Sequence, residues 1–421
     1  MWQRTVDYLF NQRPAFERQG ASGYKPGLET SLALDRMYNE PHRNYRIIHI
    51  AGTNGKGSTA HMLASCLQAC GYRVGLFTSP HMIDFRERIR VNGRKISRSF
   101  VIQWVADYRK KKLEGYEPSF FELTSTMAFD YFAWRNVNVA VIETGLGGRL
   151  DSTNIITPEL SIITNIGLEH QQFLGNTLEE IALEKAGIIK HGRPVVIGHA
   201  DGVVRDVFER EAKRLYSEIH FAEDKPEVIS AKHVDGVLRL ETANLGTLDC
   251  ELTGEYQVEN VNTVLTALTI LKRLKYRIKT DALRKGLARV IEDTGLMGRW
   301  MKIDDKPLTI LESAHNVPGM TRAMEQLKHE RAKRLYDCLE ESRLFRLHAQ
   351  DGSRSDMNVT FRTGDQDLDA EFIRYAAERG LVNLKGHKVA GGMRASLYNA
   401  MPMEGVDALV KTIKEFEQKH V

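Results

Sequence analysis

Residues 45–59 read YRIIHIA followed by GTNGKGST, and this stretch predicts the fold of the first part of the chain. The apolar run at 45–51 is typical of a buried strand, because it is short and is followed directly by glycine. Residues 58–71 (STAHMLASCLQACG) have the length and composition of a helix that ends at glycine. A strand, a glycine-rich loop and a helix in this order predict a phosphate-binding loop.

The loop carries the residue types that hold a phosphate. Glycines let backbone N–H groups face the anion, and the helix N-terminus adds partial positive charge. Lys56 can reach terminal phosphates and Ser58 can hold Mg²⁺, although an extra glycine separates them and the pattern departs from GxxxxGK[ST]. A glycine-rich turn without a ligand stays open as the alternative. The candidate phosphate-binding residues are Gly52, Thr53, Asn54, Gly55, Lys56, Gly57 and Ser58.

Short apolar runs alternate with helix-length segments beyond the loop. Further strands are predicted at 72–77, 137–142, 160–166 and 193–197, and a helix at 177–189. The less regular stretch at 201–255 is predicted to form the far edge of the sheet. This alternation predicts an α/β fold, with a phosphate-loop three-layer core around a mostly parallel sheet and a smaller α/β domain after it. Ligands bind such sheets at the carboxyl ends of the strands.

Candidate metal and catalytic residues follow the predicted strands. Glu143 ends the strand at 137–142, where a carboxylate commonly holds Mg²⁺ beside nucleotide phosphates. The alternative is a surface glutamate next to a loop. Ser79 and His81 follow the strand at 72–77, and His170 follows the strand at 160–166. For the histidines, a functional role and an ordinary polar role stay open.

Lys185 is predicted to point inward. Thr177 and Glu180 form a capping box that starts a helix. Lys185 then shares one helix face with three apolar residues: Leu178, Ile181 and Ala182. A buried amine is costly unless it is paired or modified. The alternative is a lysine that extends along the apolar face to solvent.

The bulk composition is that of a globular protein. The chain has 421 residues, of which 42% are apolar and 27% charged, and the length predicts two or three domains. A net charge of +4 is too small to indicate a nucleic-acid binder, but it suits anionic small substrates. We find no secretory signal and no apolar run long enough for a membrane span, so a cytoplasmic protein is expected.

Several segments together resemble the folylpolyglutamate synthase and dihydrofolate synthase family, part of the wider Mur-ligase-like group. They occur in the family's order over about residues 1–325. The segments are HIAGTNGKGSTAHMLASCL, GLFTSPHMIDFRERIRVNG, FFELTSTMAF, VIETGLGGRLDSTN, TNIGLEHQQFLGNTLEEIALEKAGIIK and MGRW.

The resemblance implies an enzyme that uses ATP and Mg²⁺ to join L-glutamate to a folate or to dihydropteroate through an acyl phosphate. Lys56 and the loop glycines would bind ATP phosphates, and Lys185 matches a lysine that the family carbamylates. Asn262 and Arg299 match nucleotide-binding positions, and FFELT with the segment around Phe85 and Arg86 matches the pterin-side pocket. The implied Mg²⁺ ligands, directly or through water, are Ser58, Ser79, Glu143 and His170. A monomer is expected.

The family pattern changes at residues 312–316. Members usually carry Asp-Gly-Ala-His-Asn, whereas this chain has Glu312-Ser313-Ala314-His315-Asn316. We retain Glu312 as a nucleotide-side residue and His315 as a catalytic residue. The acid is longer by one methylene and the glycine has gained a side chain, so the local geometry could shift by the roughly 1 Å that matters in catalysis.

The last 90 or so residues resemble a different family, the C-terminal domain of phosphoserine aminotransferase. The segments are RAKRLYDCLEESRLFRLHA, SRSDMNVTFRT and GLVNLKGHKVAGGMRASLYNAMPMEGVDALVKTIKEFEQKH. His387 and Arg394 match substrate-binding positions of that family. The domain that carries the pyridoxal phosphate lysine has no counterpart here, so we favour the interpretation that both are surface polar residues without a catalytic role.

The two resemblances divide the chain into three predicted parts. They are a Mur-ligase-like domain at 1–295, a linker with the start of a ligase C-terminal domain at 296–328, and an aminotransferase-like domain at 329–421. The leading hypothesis is a carboxylate–amine ligase. The alternatives are a nucleotide-binding chimera without ligase turnover and, third, a protein of the phosphoserine aminotransferase type.

Overall fold

The computed structural model describes residues 1–11, 27–111, 113–305, 308–350, 352–386 and 391–421. The chain forms two compact units, Met1–Arg299 and Trp300–Val421. The predicted strand, loop and helix lie in the middle of the first unit. His387 lies outside the described residues.

The first unit alternates strands and helices, as the sequence predicts. Its helices are α1 (Trp2–Asn11), α2 (Glu29–Met37), α3 (Lys56–Ala69), α4 (Arg98–Lys111), α5 (Phe120–Trp134), α6 (Gln171–Leu174), α7 (Leu178–Ala186), α8 (Gly202–Arg214), α9 (Gln257–Arg273), α10 (Thr280–Leu287) and α11 (Val290–Thr294). Its strands are β1 (Arg46–Ala51), β2 (Val74–Phe77), β3 (Ile89–Val91), β4 (Arg94–Lys95), β5 (Val139–Glu143), β6 (Leu160–Ile163), β7 (Val195–Ile197), β8 (Ile219–Phe221), β9 (Val228–Val234), β10 (Val237–Thr242) and β11 (Thr247–Cys250).

Eight strands form one sheet in the order β4-β3-β2-β5-β1-β6-β7-β8. From β2 to β8 all neighbours are parallel, and β3 and β4 add an antiparallel edge. Strand β1 lies between β5 and β6, with Ile50 opposite both Glu143 and Ile162. The loop after β1 is therefore flanked by the carboxyl ends of its two neighbours.

Both faces of the sheet are buried, which explains its apolar strands. In β1, Ile48 and Ile50 pack with α3 and α9 on one face, whereas Ile47 faces the aromatic core of α5 on the other. Strand β5 alternates in the same way. Side chains alternate between the two faces of a strand, so two covered faces require a continuous apolar run. The predicted three-layer α/β core is confirmed.

The stretch at 201–255 differs from the prediction. It begins with α8, and only β8 joins the large sheet, at its edge. Strands β9, β10 and β11 form an antiparallel sheet of their own, packed against α9 and α10 through Leu238, Leu240 and Leu248. The prediction of a single far edge was wrong for these strands, because a small meander with one buried face needs no long apolar runs.

The second unit combines two small sheets with three helices. A hairpin of β12 (Met301–Asp305) and β13 (Leu308–Leu311) precedes α12 (Val317–Glu341). The other elements are β14 (Arg346–Leu347), β15 (Asn358–Arg362), α13 (Gln366–Ala377), β16 (Met393–Ser396) and α14 (Met403–His420). Strands β14, β15 and β16 are antiparallel, and four phenylalanines fill the core beside them: Phe345, Phe361, Phe372 and Phe416.

Helix α12 runs without a break through residues 317–341, across the predicted boundary near 328. Among the residues that the structure describes, no helix is both long and apolar enough to cross a membrane.

Candidate active site

The glycine-rich loop lies at the carboxyl end of β1 and leads directly into α3. Gly55 is the N-cap of α3 with φ of +83°, and no side chain caps this helix end. A helix normally satisfies its first N–H groups with a Ser, Thr, Asp or Asn cap. The uncapped N–H groups and the helix dipole at Gly55 thus form an anion-binding end.

The segment after β6 braces the loop. Thr53 donates from its N–H to the Asn165 carbonyl (2.8 Å), and the N–H of Asn54 donates to Asn165 Oδ1 (2.9 Å). Thr164 Oγ1 donates to the Asn54 carbonyl (2.6 Å), while Thr53 Oγ1 accepts from the Gly167 N–H (3.0 Å). These bonds fix the loop before any ligand arrives, which reduces the ordering cost of binding.

Two cations lie at the loop. Lys56 folds back over it, and Nζ donates to the carbonyls of Gly52 (2.9 Å) and Thr53 (3.0 Å). Arg299 comes so close to Gly57 that a Cβ there would lie 3.1 Å from Nη2. A side chain at Gly57 would therefore occupy the space between the loop and the guanidinium.

Glu143 adds a buried carboxylate next to these cations. It ends β5 with only 2% of its surface exposed, and its Oε2 accepts from the Ser79 N–H (3.1 Å). Burial raises the pKa of Glu143 above its usual value, although Lys56, the Ser79 N–H and Arg299 oppose this effect. The structure thus places Ser79 and Glu143 together at the loop, as the sequence predicts.

Two amide side chains of α9 hold the start of α3. Gln257 donates from Nε2 to Ser58 Oγ (3.2 Å), and Asn260 donates to Gln257 Oε1 (2.8 Å). Asn260 Oδ1 lies where a Cβ on Gly55 would be. Asn262 is not brought to the loop, because its Oδ1 accepts from the Val228 N–H (2.9 Å).

The different roles of these α9 residues follow from helix geometry. Residues three apart share a face, so Gln257 and Asn260 face the loop together, whereas Asn262 points away. Neither amide was among the residues predicted from the sequence. Their three-residue spacing at the start of an apolar helix was the available signal.

Lys185 is buried, as predicted, with a partner that the sequence analysis missed. Its side chain is 1% exposed, and Nζ donates to Glu169 Oε1 (2.9 Å) and to the Gly52 carbonyl (2.8 Å). Burial lowers the pKa of Lys185 to about 8, with Glu169 opposing the shift. Burial would raise the pKa of Glu169, but Lys56 and Lys185 bring it below its usual value.

The capping box that places Lys185 is present, with Thr177 accepting from the Glu180 N–H. Ile181 and Ala182 are buried beside it, but Leu178 is 37% exposed, so the prediction was wrong for that residue. Leu178 is the first residue of α7, where the chain has only begun to enter the core. His170, next to Glu169, precedes α6 with φ of +46°.

An aromatic cluster lies beyond β2, where the FFELT segment and Phe85 meet. Phe85 is buried 5.9 Å from the Phe120 ring, and Phe120 lies 4.3 Å from the Phe10 ring. Arg86 is tied to Asp84 through Nη2 (2.6 Å). Nearby, His81 Nδ1 accepts from the buried Arg88 guanidinium (2.8 Å). These rings belong to the aromatic core on this face of the sheet.

Glu312 and His315 belong to the second unit, in the turn after β13. The Glu312 carboxylate accepts from the N–H groups of Trp300 (2.8 Å) and Ala314 (3.0 Å). His315 is exposed, and its Nδ1 donates to the Ser313 carbonyl (3.0 Å). Arg394 is an exposed residue of β16, opposite Thr360.

Known proteins share long stretches of sequence with this chain. The Mur ligase middle domain family matches residues 50–268. The dihydrofolate synthase/folylpolyglutamate synthase of Bacillus subtilis is 37% identical over 320 residues, which cover 73% of this chain and 73% of the relative. The chain belongs to the folylpolyglutamate synthase/dihydrofolate synthase family.

Other members of the family extend the match. The folylpolyglutamate synthase of Lacticaseibacillus casei is 35% identical over 308 residues, covering 70% of this chain and 71% of the relative. A solved FPGS–AMPPCP–folate complex superposes with a TM-score of 0.71 at 32% identity, covering 78% of this chain and 80% of the other. The structure of the Thermotoga maritima folylpolyglutamate synthase superposes with a TM-score of 0.66 at 34% sequence identity. The match covers 78% of this chain and 74% of the other.

Proposed function

We propose that this chain is an ATP-dependent carboxylate–amine ligase that joins L-glutamate to a folate or dihydropteroate. Its reaction would transfer the γ-phosphoryl group of ATP to the carboxylate, and the glutamate amine would then displace phosphate to form the amide. The relatives named folylpolyglutamate and dihydrofolate synthases support this function, as does a solved relative with AMPPCP and folate.

The observation that carries the proposal is the charge pattern around the loop. The uncapped end of α3, Lys56 and Arg299 supply positive charge at one point, and buried Glu143 supplies negative charge beside it. Lys56 would exchange its two carbonyl partners for phosphate oxygens. In this role Lys56 and Arg299 stabilise charge that builds up during phosphoryl transfer.

We propose that Ser58, Ser79, Glu143 and His170 hold a magnesium ion. The Ser58 hydroxyl and the Glu143 carboxylate are hard oxygen donors, which Mg²⁺ prefers, and Ser79 and His170 are proposed as further ligands, directly or through water. When bound, Mg²⁺ neutralises phosphate charge. Gln257 orients the Ser58 hydroxyl by donating a hydrogen bond to Ser58 Oγ. The hydroxyl proton is not needed for that bond, so it can turn away from the metal.

Lys185 is proposed to be carbamylated. Its pKa of about 8 leaves part of the amine neutral near neutral pH, and the neutral amine is the form that attacks CO₂. The new N–C bond gives an anionic carbamate and releases one proton. Glu169 would then hold no cation at Nζ, so Lys56 would become the nearest positive charge.

The second unit enters the proposal through Glu312 and His315. We propose that Glu312 holds the turn after β13 for the nucleotide and that His315 acts in catalysis.

We also propose that the chain consists of three parts, at 1–295, 296–328 and 329–421. The last part would descend from a phosphoserine aminotransferase. Arg394 would then be a remnant, because no lysine-bearing domain accompanies it.

We further propose that the enzyme is a cytoplasmic monomer that binds no nucleic acid. The small net charge of +4 supports the last point.

Phosphate release from Mg²⁺-ATP with glutamate, with and without dihydropteroate or tetrahydrofolate, tests the ligase. Release that depends on the pterin, and that is lost in Lys56→Ala but kept in Lys213→Ala on the exposed face of α8, is the expected result. ATP binding without pterin-dependent release would instead support the nucleotide-binding chimera, to which the altered residues at 312–313 point.

A further inference from the structure

A large cavity lies at the opposite edge of the main sheet from the phosphate loop. Its volume is about 1200 Å³, and its walls are formed where β1, β5, β6 and β7 begin. Ligands of parallel α/β sheets usually bind at the carboxyl ends, so nothing in the proposed ligase reaction uses this edge. We propose that this amino-end cavity binds a small anion with at least two negative charges.

The charges on the cavity wall do not balance. Each acidic residue of the lining already has a partner: Asp35 bonds His42 (2.9 Å), Glu40 pairs with Arg43 (3.0 Å), and Glu159 accepts from the Tyr276 hydroxyl (2.7 Å). Arg46 also approaches Glu159, at 4.0 Å.

Three further cations of the lining have no such partner. Within the described parts of the chain, the side chains of Arg193, Lys275 and Arg277 are exposed and make no ion pair or hydrogen bond. The chain as a whole carries a net charge of only +4, so three uncompensated cations around one cavity are a concentrated positive charge. Such a concentration attracts anions into a concave site.

The backbone that carries these cations is held firmly. Tyr276 is 3% exposed and is anchored by its hydroxyl to Glu159, and the Arg277 N–H donates to the Tyr72 hydroxyl (2.7 Å). Arg193 lies two residues before β7, two strands away from Arg46 at the start of β1. Because the positions are fixed, only the side-chain ends must order when an anion binds.

The chemistry favours carboxylates or phosphates. Two guanidinium groups offer paired donors that match the two oxygens of either group, and Lys275 adds a point charge. A singly charged anion would engage only one of these cations. The shared requirement is therefore two or more anionic groups on one small molecule.

Calorimetric titration of the full chain with citrate, inorganic pyrophosphate and acetate at low ionic strength tests the proposal. The cavity variant replaces the three free cations (R193Q, K275Q and R277Q). The matched control removes the same charge from exposed positions elsewhere in the first unit (K213Q, K232Q and K285Q). The phosphate loop is intact in both, so any difference between them belongs to the cavity.

We expect the cavity variant to bind citrate, pyrophosphate or both about tenfold more weakly than the control, with acetate weak in both. A loss confined to citrate indicates a polycarboxylate ligand, and a loss confined to pyrophosphate indicates a ligand that carries phosphate groups. Equal affinities in the two variants for both probes, with both folded by circular dichroism, would overturn the proposal. The outcome is independent of ligase activity.

Discussion

The two ends of the eight-stranded sheet both gather positive charge, but they do so in different surroundings. At the carboxyl end, Lys185 is buried, bonded to Glu169 and shifted in pKa to about 8. At the amino end, the side chains of Arg193 and Arg277 are exposed and make no ion pair or hydrogen bond with the described residues. Burial makes each charge interaction stronger and its loss more costly, whereas exposure leaves charges weak and screened by salt.

With Lys185 in its unmodified, uncarbamylated form, removing it should have the largest effect, because Glu169 is then buried without its cation. Lys185→Met is expected to lower the free energy of unfolding by about 3–5 kcal/mol in urea titrations. At the amino end, Arg46→Met removes a half-exposed pair with Glu159 and should cost less than about 1 kcal/mol. Similar losses for the two variants would contradict the difference between the ends. The double variant K185M with E169Q should recover part of the loss.

Lys56→Ala should lower pterin-dependent phosphate release about 100- to 1000-fold, the usual effect of removing one preorganised donor from a transition state. Steady-state kinetics at saturating ATP measure it, with Lys213→Ala as the control. If the variant releases phosphate at a rate within a factor of three of the unmodified chain, Arg299 and the N-terminus of α3 are enough to stabilise the transferred phosphoryl group.

The buried Lys185 should also give the stability a pH dependence. Its pKa falls from 10.5 to about 8 on folding because of burial, so between these values the unfolded chain binds more protons than the native one. Stability should therefore rise with pH across this window, by at most about 1.4 kcal/mol per pH unit for one proton.

Urea titrations from pH 7.5 to 10 on the unmodified chain and on Lys185→Met measure this dependence. Lys190, whose pKa burial lowers to about 8, contributes equally to both. The slope should thus be shallower in the variant, and equal slopes would show that folding does not lower the pKa of Lys185.

The smallest effect is expected from replacing either of two glycines with positive φ, which lie at the two ends of α3. Gly55→Ala would collide with Asn260, and Gly71→Ala meets no atom within 4 Å. Both should lose about 1–2 kcal/mol of stability from the left-handed backbone, but only Gly55→Ala should weaken binding of an ATP analogue, by about tenfold. Fluorescence titration with a labelled nucleotide would measure the affinity of each variant. Equal affinities would show that the contact between Gly55 and Asn260 does not matter for nucleotide binding.

Sequence reasoning succeeded where local patterns decide the structure. The run at 45–51, the loop glycines and the capping box of α7 each depend on neighbours in the chain, and all three occur as predicted. It did not find α5, because a helix buried on nearly every side lacks the amphipathic stripe that reveals surface helices.

Contacts between distant segments were the other gap. The pairing of Lys185 with Glu169 joins residues 16 apart, and Gln257 meets Ser58 across 199 positions. A pattern within α9 cannot decide between Asn260 and Asn262 without the neighbour they face. The cavity was hidden for a similar reason: Arg193 lies before a strand, whereas Lys275 and Arg277 lie between two helices, and in the sequence all three resemble ordinary solvated residues.

The chain divides directly after Arg299, and this position bears on how the protein can change through recombination. Every contact of the phosphate loop described above comes from a residue before Trp300: Glu143, Thr164, Asn165, Gly167, Lys185, Gln257, Asn260 and Arg299. A crossover downstream of this point exchanges the C-terminal sequence as one cassette and leaves those contacts intact. Recombination can therefore join the first unit to a different C-terminal sequence without changing the residues that contact its anion-binding loop.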